Sequence, residues 1–332
     1  MSFSQDEINL IPVRLNYSPD IVSSKLQLLT ISSIFPKPLT KNKQSAVVLN
    51  NTSDQGDAKS EERSKSFPIK RSSSLRFFRS NQNSSTNFDL RFFIVRHGER
   101  VDRYFGPDWY QQALTKDGKY IRFHKNLPPY LPHRLNSFCW AQDTPLTFAG
   151  LKGAYSRGRM LSLNGVKFQY VYSSPAMRCI LTTFEILRGL QLDKTIAIRI
   201  EPGLLELGAA RFGMDLFMKP IDWQQHGVNI DMSYQPIVKV ISADEREMAY
   251  YLRAKTVIRH LEERHKDSTG ACTNILIVGH ATSPETLTWD LIGKKPNVQD
   301  LFDLSLKVAY LQTMVAERRL GPSKSWSIRK FF

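Results

Sequence analysis

From residue 89 onward, short apolar runs alternate with stretches that carry the 3.6-residue period of amphipathic helices. No other feature of the chain restricts its fold so strongly. The runs occupy 91–95, 170–172, 196–200 and 274–278, with two more at 309–315 and 326–331. The helical patterns occupy 151–163, with Thr147 as a cap, then 176–190, 243–265 and 284–292, and Asp244 and Glu245 fall in the first turn of the third. Strands separated by helices pair in parallel and are covered on both faces. The expected fold is therefore α/β, a three-layer sandwich with a mostly parallel central sheet. Residues 101–146 break the alternation with Pro107, Pro128, Pro129, Pro132 and Pro145, and read as a long insertion over the top of the sheet.

Residues 1–88 differ in kind. They are rich in Ser, Asn, Gln and Lys and show no sustained period, so a low-complexity, largely disordered basic N-terminal region is expected there, ahead of a folded domain at 89–332. That region carries 12 basic and 7 acidic side chains, against 34 and 24 in the remainder, so the net charge of +15 is not confined to a tail. The excess favours an anionic partner without choosing its class. Within the N-terminal region Arg71 stands three residues before Ser74, a spacing that basophilic kinases favour, although a solvated linker is the simpler reading.

Three cysteines, Cys139, Cys179 and Cys272, make no C-x-x-C pair, which argues against a disulfide framework and a zinc site. Asp6 and Glu7 stand where a signal peptide would be positive, and no apolar run reaches the roughly 18 residues of a membrane span. A cytoplasmic chain with no membrane span, no metal and no cofactor is expected.

In parallel α/β sheets, ligands gather at the carboxyl ends of the strands. Arg96, His97, Gly98, Glu99 and Arg100 follow the first run. Ser173, Ser174 and Pro175 follow the second, with Arg178 just inside the next helix. Glu201, Pro202, Gly203 and then Glu206 follow the third, and Gly279, His280 and Ala281 follow the fourth. Two imidazoles, three guanidinium groups and a carboxylate thus meet at one end of one sheet. Arginine's planar fork matches phosphoryl oxygens. A neutral imidazole can attack phosphorus, a second can steady the developing charge, and a carboxyl group can protonate the leaving oxygen. Ser174 and Pro175 suit an N-cap and first helical position, which would aim the helix at the phosphate. Gly98 and Gly279 would let backbone approach the ligand closely.

Each piece alone is ordinary: Arg-His-Gly is often a strand-end turn, and Glu201 and Glu206 can both be solvated loop carboxylates. The conjunction of four strand ends carries the reading. His124, His133, His226, His260 and His265 lack partners at ligand spacing and read as structural or surface residues, and Cys179 as a small buried side chain.

Arg96-His97-Gly98, Ser174-Pro175 with Arg178, and Gly279-His280 together resemble the histidine phosphatase, or phosphoglycerate mutase-like, superfamily over about 89–332. Ala281 follows His280 where the acid-phosphatase branch has an aspartate donor, so the donor comes from elsewhere, as in the mutase-like branch. The runs 96–102, 143–147, 201–206 and 275–281 are similar to the phosphatase domain of the TULA/Sts (ubiquitin-associated and SH3 domain-containing) proteins. The resemblance implies a phosphohistidine on His97, phosphate binding by Arg96, Arg100 and Arg178 with His280, and Glu206 as acid and base. It implies a metal-independent phosphomonoesterase with no cofactor, acting on aryl phosphates, phosphotyrosine proteins or, as in insect relatives, steroid phosphates, and it implies a homodimer. Leu207 stands where the family has Trp, so a pocket wall without that aromatic is expected. Residues 1–88 are too short and too polar for the family's ubiquitin-binding, phosphoesterase and SH3 domains.

Two other readings stand beside this one. A pseudophosphatase would bind phosphorylated partners without turnover; the full set of polar groups argues against it. A sugar phosphatase or mutase on the same fold fits the Glu-Pro-Gly-x-x-Glu run less well. Nucleic-acid binding lacks an aromatic-interleaved basic stripe.

Overall fold

A computed structural model describes residues 88–134, 137–266, 272–321 and 324–331, all within one unit spanning Phe78–Phe332. The N-terminal region expected to be disordered, with its Arg71–Ser74 spacing, lies outside the described residues except for Phe88, which opens the first strand. In chain order the elements are β1 (Phe88–Arg96), α1 (Val101–Phe105), α2 (Trp109–Ala113), α3 (Ser137–Gln142), α4 (Phe148–Leu163), β2 (Tyr170–Ser173), α5 (Met177–Leu190), β3 (Arg199–Ile200), α6 (Pro220–Gln225), α7 (Glu247–Arg264), β4 (Thr273–Gly279), α8 (Ser283–Thr286), α9 (Leu301–Leu306), β5 (Thr313–Arg319) and β6 (Trp326–Lys330).

The six strands form one sheet in the order β3-β2-β4-β1-β5-β6. β3, β2, β4 and β1 run parallel, while β5 and β6 close one side antiparallel. The sheet is thus mostly parallel, as the alternation of strands and helices requires. Its pleat sends alternate side chains to opposite faces. Phe93, Val95, Leu276 and Val278 enter one core with Ala154, Leu161, Ile180 and Leu187 of α4 and α5. Phe92, Ile94, Ile275 and Ile277 enter the other with Ala254, Val257, Ile258 and Leu261 of α7. Both faces of β1 and β4 are buried, which explains their continuous apolar runs and makes the sandwich three-layered.

Thr147 caps α4, its hydroxyl accepting from the Gly150 N–H at 2.9 Å. α7 begins later than its pattern suggests. Glu245 stays outside the helix and pairs through both oxygens with Arg253, at 2.6 Å each. β3 is reduced to two residues because it pairs only with Tyr172 and Ser173 of β2, and Ile198 bridges to Ile230 instead. The insertion is not featureless: it contributes α1, α2 and α3, and buries Trp109 against Trp140 with ring centroids 6.0 Å apart.

Candidate active site

β1 and β4 place Arg96 opposite Gly279, and β2 and β4 place Ser173 opposite Val278. His97, His280 and Ser174 therefore leave three adjacent parallel strands at the same level. The rings of His97 and His280 stand 5.7 Å apart at 70°, and both residues are almost fully buried.

His97 has a defined tautomer. Its Nδ1 lies 2.8 Å from the Gly98 carbonyl, which can only accept, so Nδ1 carries the proton and Nε2 keeps its lone pair. Burial, with the positive charges of Arg178 and Arg100 and the neighbouring His280, holds the imidazole well below its ordinary value and therefore neutral. Burial and the same arginines do likewise for His280. Arg178 Nη2 donates to His280 Nδ1 at 3.2 Å, so the proton of His280 is on Nε2, which donates to Ser174 Oγ at 2.9 Å.

Three arginines surround the pair. Arg100 gives Nε and Nη2 to Asp102 at 2.9 and 2.7 Å. Arg178, at the second position of α5, donates to Glu206 Oε2 at 3.0 Å. Arg96 donates to the Val308 carbonyl and lies over the Tyr310 ring. The Nε atoms of Arg96 and Arg178 are buried without a hydrogen-bond partner. An unpaired buried donor costs about 1–3 kcal/mol.

The two glutamates of the loop after β3 part company. Glu201 is fully buried and accepts from the Gly203 N–H at 2.8 Å, the Tyr234 hydroxyl at 2.6 Å, and the N–H groups of Ile237 and Val238 at 2.7 and 3.1 Å. It ties the loop to the chain beyond. Arg253 reinforces the tie, donating to the carbonyls of Gly203 and Leu205 at 2.7 and 3.0 Å. Glu206 remains 31% exposed, with Oε2 3.7 Å from His280 Nδ1. Burial pushes its carboxyl up, but Arg178 and Arg100 outweigh that and hold it below the ordinary carboxylate value.

The structure thus brings together all six site residues expected from the sequence, and corrects some details around them. The cap of α5 is Ala176, not Ser174, and its side chain makes no capping bond. The Met177 N–H is capped from a distance by Asp143 Oδ1 at 2.7 Å, and Asp143 is in turn paired with the buried Arg134 at 2.9 Å. Gly98 and Gly279 make room for protein rather than ligand. A Cβ on Gly98 would sit 3.0 Å from the Gly150 carbonyl, and one on Gly279 would sit 2.4 Å from Ser283 Oγ. Leu207 packs against a buried cluster of Tyr250, Tyr251, Trp289 and Leu301, so a mostly aromatic cluster stands behind it. Cys179 is fully buried with Sγ 3.8 Å from His280 Nε2, and burial pushes its thiol up to about 12. His265, buried against the Tyr172 hydroxyl at 3.0 Å, is a core histidine. Sequence reasoning missed Tyr310, whose ring centroid is 5.8 Å from that of His97. It lies just before the start of an antiparallel strand, where the strand-end rule does not look. A separate cleft of about 350 Å³, lined by Pro128, Tyr130, Phe148, Phe184 and Trp223 among others, contains none of the six site residues. Among the described residues no group of three or more His, Cys, Asp or Glu side chains could hold a metal ion, and no helix is long and apolar enough to cross a membrane.

Comparison with known proteins agrees with this fold. The profile of the histidine phosphatase superfamily (branch 1) matches residues 132–321. Ubiquitin-associated and SH3 domain-containing protein B of Mus musculus is 34% identical over 242 residues, which are 71% of this chain and 37% of that protein. The ecdysteroid-phosphate phosphatase of Bombyx mori is 33% identical over 213 residues, 63% of this chain and 31% of that protein. The chain spans about a third of the length of these curated relatives. The crystal structure of the Bombyx mori ecdysone phosphate phosphatase in complex with tungstate superposes with a TM-score of 0.60 at 29% identity, covering 72% of this chain and 95% of that one.

Proposed function

This chain belongs to the histidine phosphatase superfamily, and we propose that it is a metal-independent phosphomonoesterase acting on aryl phosphates or phosphotyrosine through a phosphohistidine on His97. One observation carries the proposal: a neutral imidazole with its Nε2 lone pair free stands among three arginines, two of which bury an unpaired Nε.

The chemistry follows from the site residues. Arg96, Arg100 and Arg178 bind the phosphoryl oxygens. His97 Nε2 attacks phosphorus as the bond from phosphorus to the leaving oxygen breaks. Glu206 gives its proton to that oxygen. The resulting carboxylate takes a proton from water, whose oxygen attacks the phosphohistidine. Phosphate leaves, and His97 and Glu206 return to their starting states. Without ligand, the arginines keep Glu206 ionised. A bound phosphoryl dianion cancels that field, so Glu206 rises and gains its proton where it is needed. The same dianion favours the protonated form of His280, which then stabilises the transferring group.

A steroid or similar lipophilic phosphate is the second reading. It is favoured by the likeness to the Bombyx mori enzyme and by Leu207 in place of Trp. A panel of aryl, phosphotyrosyl-peptide, steroid and sugar phosphates assayed in chelator separates these readings. Turnover of the aryl and peptide esters is expected. Turnover of sugar phosphates alone, or of none, would contradict the proposal.

A further inference from the structure

The three arginines are held in unlike ways. Arg100 spends two nitrogens on Asp102, and Arg178 spends one on Glu206. Among the described residues no carboxylate pairs with Arg96. Its guanidinium carbon lies 4.4 Å from the centroid of the Tyr310 ring, and Nη1 donates to the Val308 carbonyl. Both partners come from the segment leading into β5. That segment is tied to Arg96 through the backbone as well: Arg96 N–H donates to the Gln312 carbonyl and Leu311 N–H to the Arg96 carbonyl, each at 3.1 Å. Between them Leu311 adopts a φ of 60°, a left-handed conformation that a bulky L residue rarely takes. Its side chain occupies space that Gly153 leaves free, where a Cβ would lie 2.8 Å from Leu311 Cδ1. The chain is thus bent sharply at the residue that follows Tyr310.

A carboxylate partner would cancel charge and occupy edge N–H groups. An aromatic ring attracts the guanidinium through its face and does neither. We propose that Tyr310 is a positioning residue that holds Arg96 by its face, leaving its charge and the edge donors not given to Val308 to the phosphoryl group. The proposal rests on the reading of the pocket as a phosphate site.

Titration calorimetry of the full chain with inorganic phosphate tests it. Tyr310→Leu is expected to weaken binding about 2- to 30-fold, the range a cation–π contact commands. Tyr310→Phe, which keeps the ring, should bind within about 2-fold of the parent. In an Arg96→Ala background Tyr310→Leu should cost nothing further. If the Leu variant does not fold, Tyr310→Gln removes the ring and gives the same comparison. Equal losses in the Phe and Leu variants, or a full loss persisting in the Arg96→Ala background, would overturn the role of Tyr310. A parent chain that binds no phosphate would instead overturn the phosphate reading itself.

Discussion

Arg178 Nη2 lies 3.0 Å from Glu206 Oε2 and 3.2 Å from His280 Nδ1, so one guanidinium nitrogen bridges the carboxylate and the second imidazole. The bridge ties the ionisation of Glu206 to whatever else claims Arg178.

Glu206→Gln should therefore slow alkyl phosphates by about 10²–10⁴-fold, the usual worth of general acid catalysis. It should slow p-nitrophenyl phosphate far less, because that phenolate leaves largely unaided. Glu201→Gln should act on stability instead. An amide nitrogen cannot accept the hydrogen bonds now made to one oxygen, which costs about 1–3 kcal/mol. Steady-state kinetics on the two esters, with denaturant unfolding, separates the roles. An exchange of phenotypes would reverse the assignment.

Asp143 is closed to proton transfer by its surroundings. It is fully buried, caps α5 and pairs with Arg134, whose Nη2 also reaches the Leu216 carbonyl. Asp143→Ala should destabilise the chain by about 3–5 kcal/mol, because Arg134 keeps a buried charge without its partner. A variant as stable as the parent in urea would refute this.

Much of the site was legible because parallel strands deliver residues to one edge in a fixed order. His97, His280 and Arg178 each follow a recognisable strand by a few residues. Glu206 was readable through the Glu-Pro-Gly-x-x-Glu run. What stayed hidden depends on long-range contacts. The cap of α5 comes from Asp143, 34 positions upstream, and Tyr310 reaches His97 across 213 positions. The start of α7 shifted because the Glu245–Arg253 pair outweighs a favourable first-turn charge.

The pH dependence of stability should carry the mark of His265. Burial, with Arg199 and Arg264 nearby, lowers its pKa to about 4. The unfolded chain, at about 6.5, binds the proton first, so stability is full above 6.5 and is lost as pH falls toward 4. By pH 5 the loss from this residue is on the order of 2 kcal/mol. Unfolding free energies of the parent and His265→Gln should converge on acidification. Parallel curves would contradict the account.

Activity should survive chelation, because Arg96, Arg100 and Arg178 supply the charge that a cation would otherwise bring. Loss in EDTA that a divalent ion restores would show that a metal takes part.

Phosphorus is expected to pass through His97. Rapid acid-free quenching with a ³²P-labelled aryl phosphate, followed by peptide mapping, tests it directly. The expected result is a transient label on the peptide containing His97, labile in acid and stable in base. The label and turnover should both be absent in a normally folded His97→Ala variant. A label stable in acid and labile in base, or turnover that persists in His97→Ala, would contradict it.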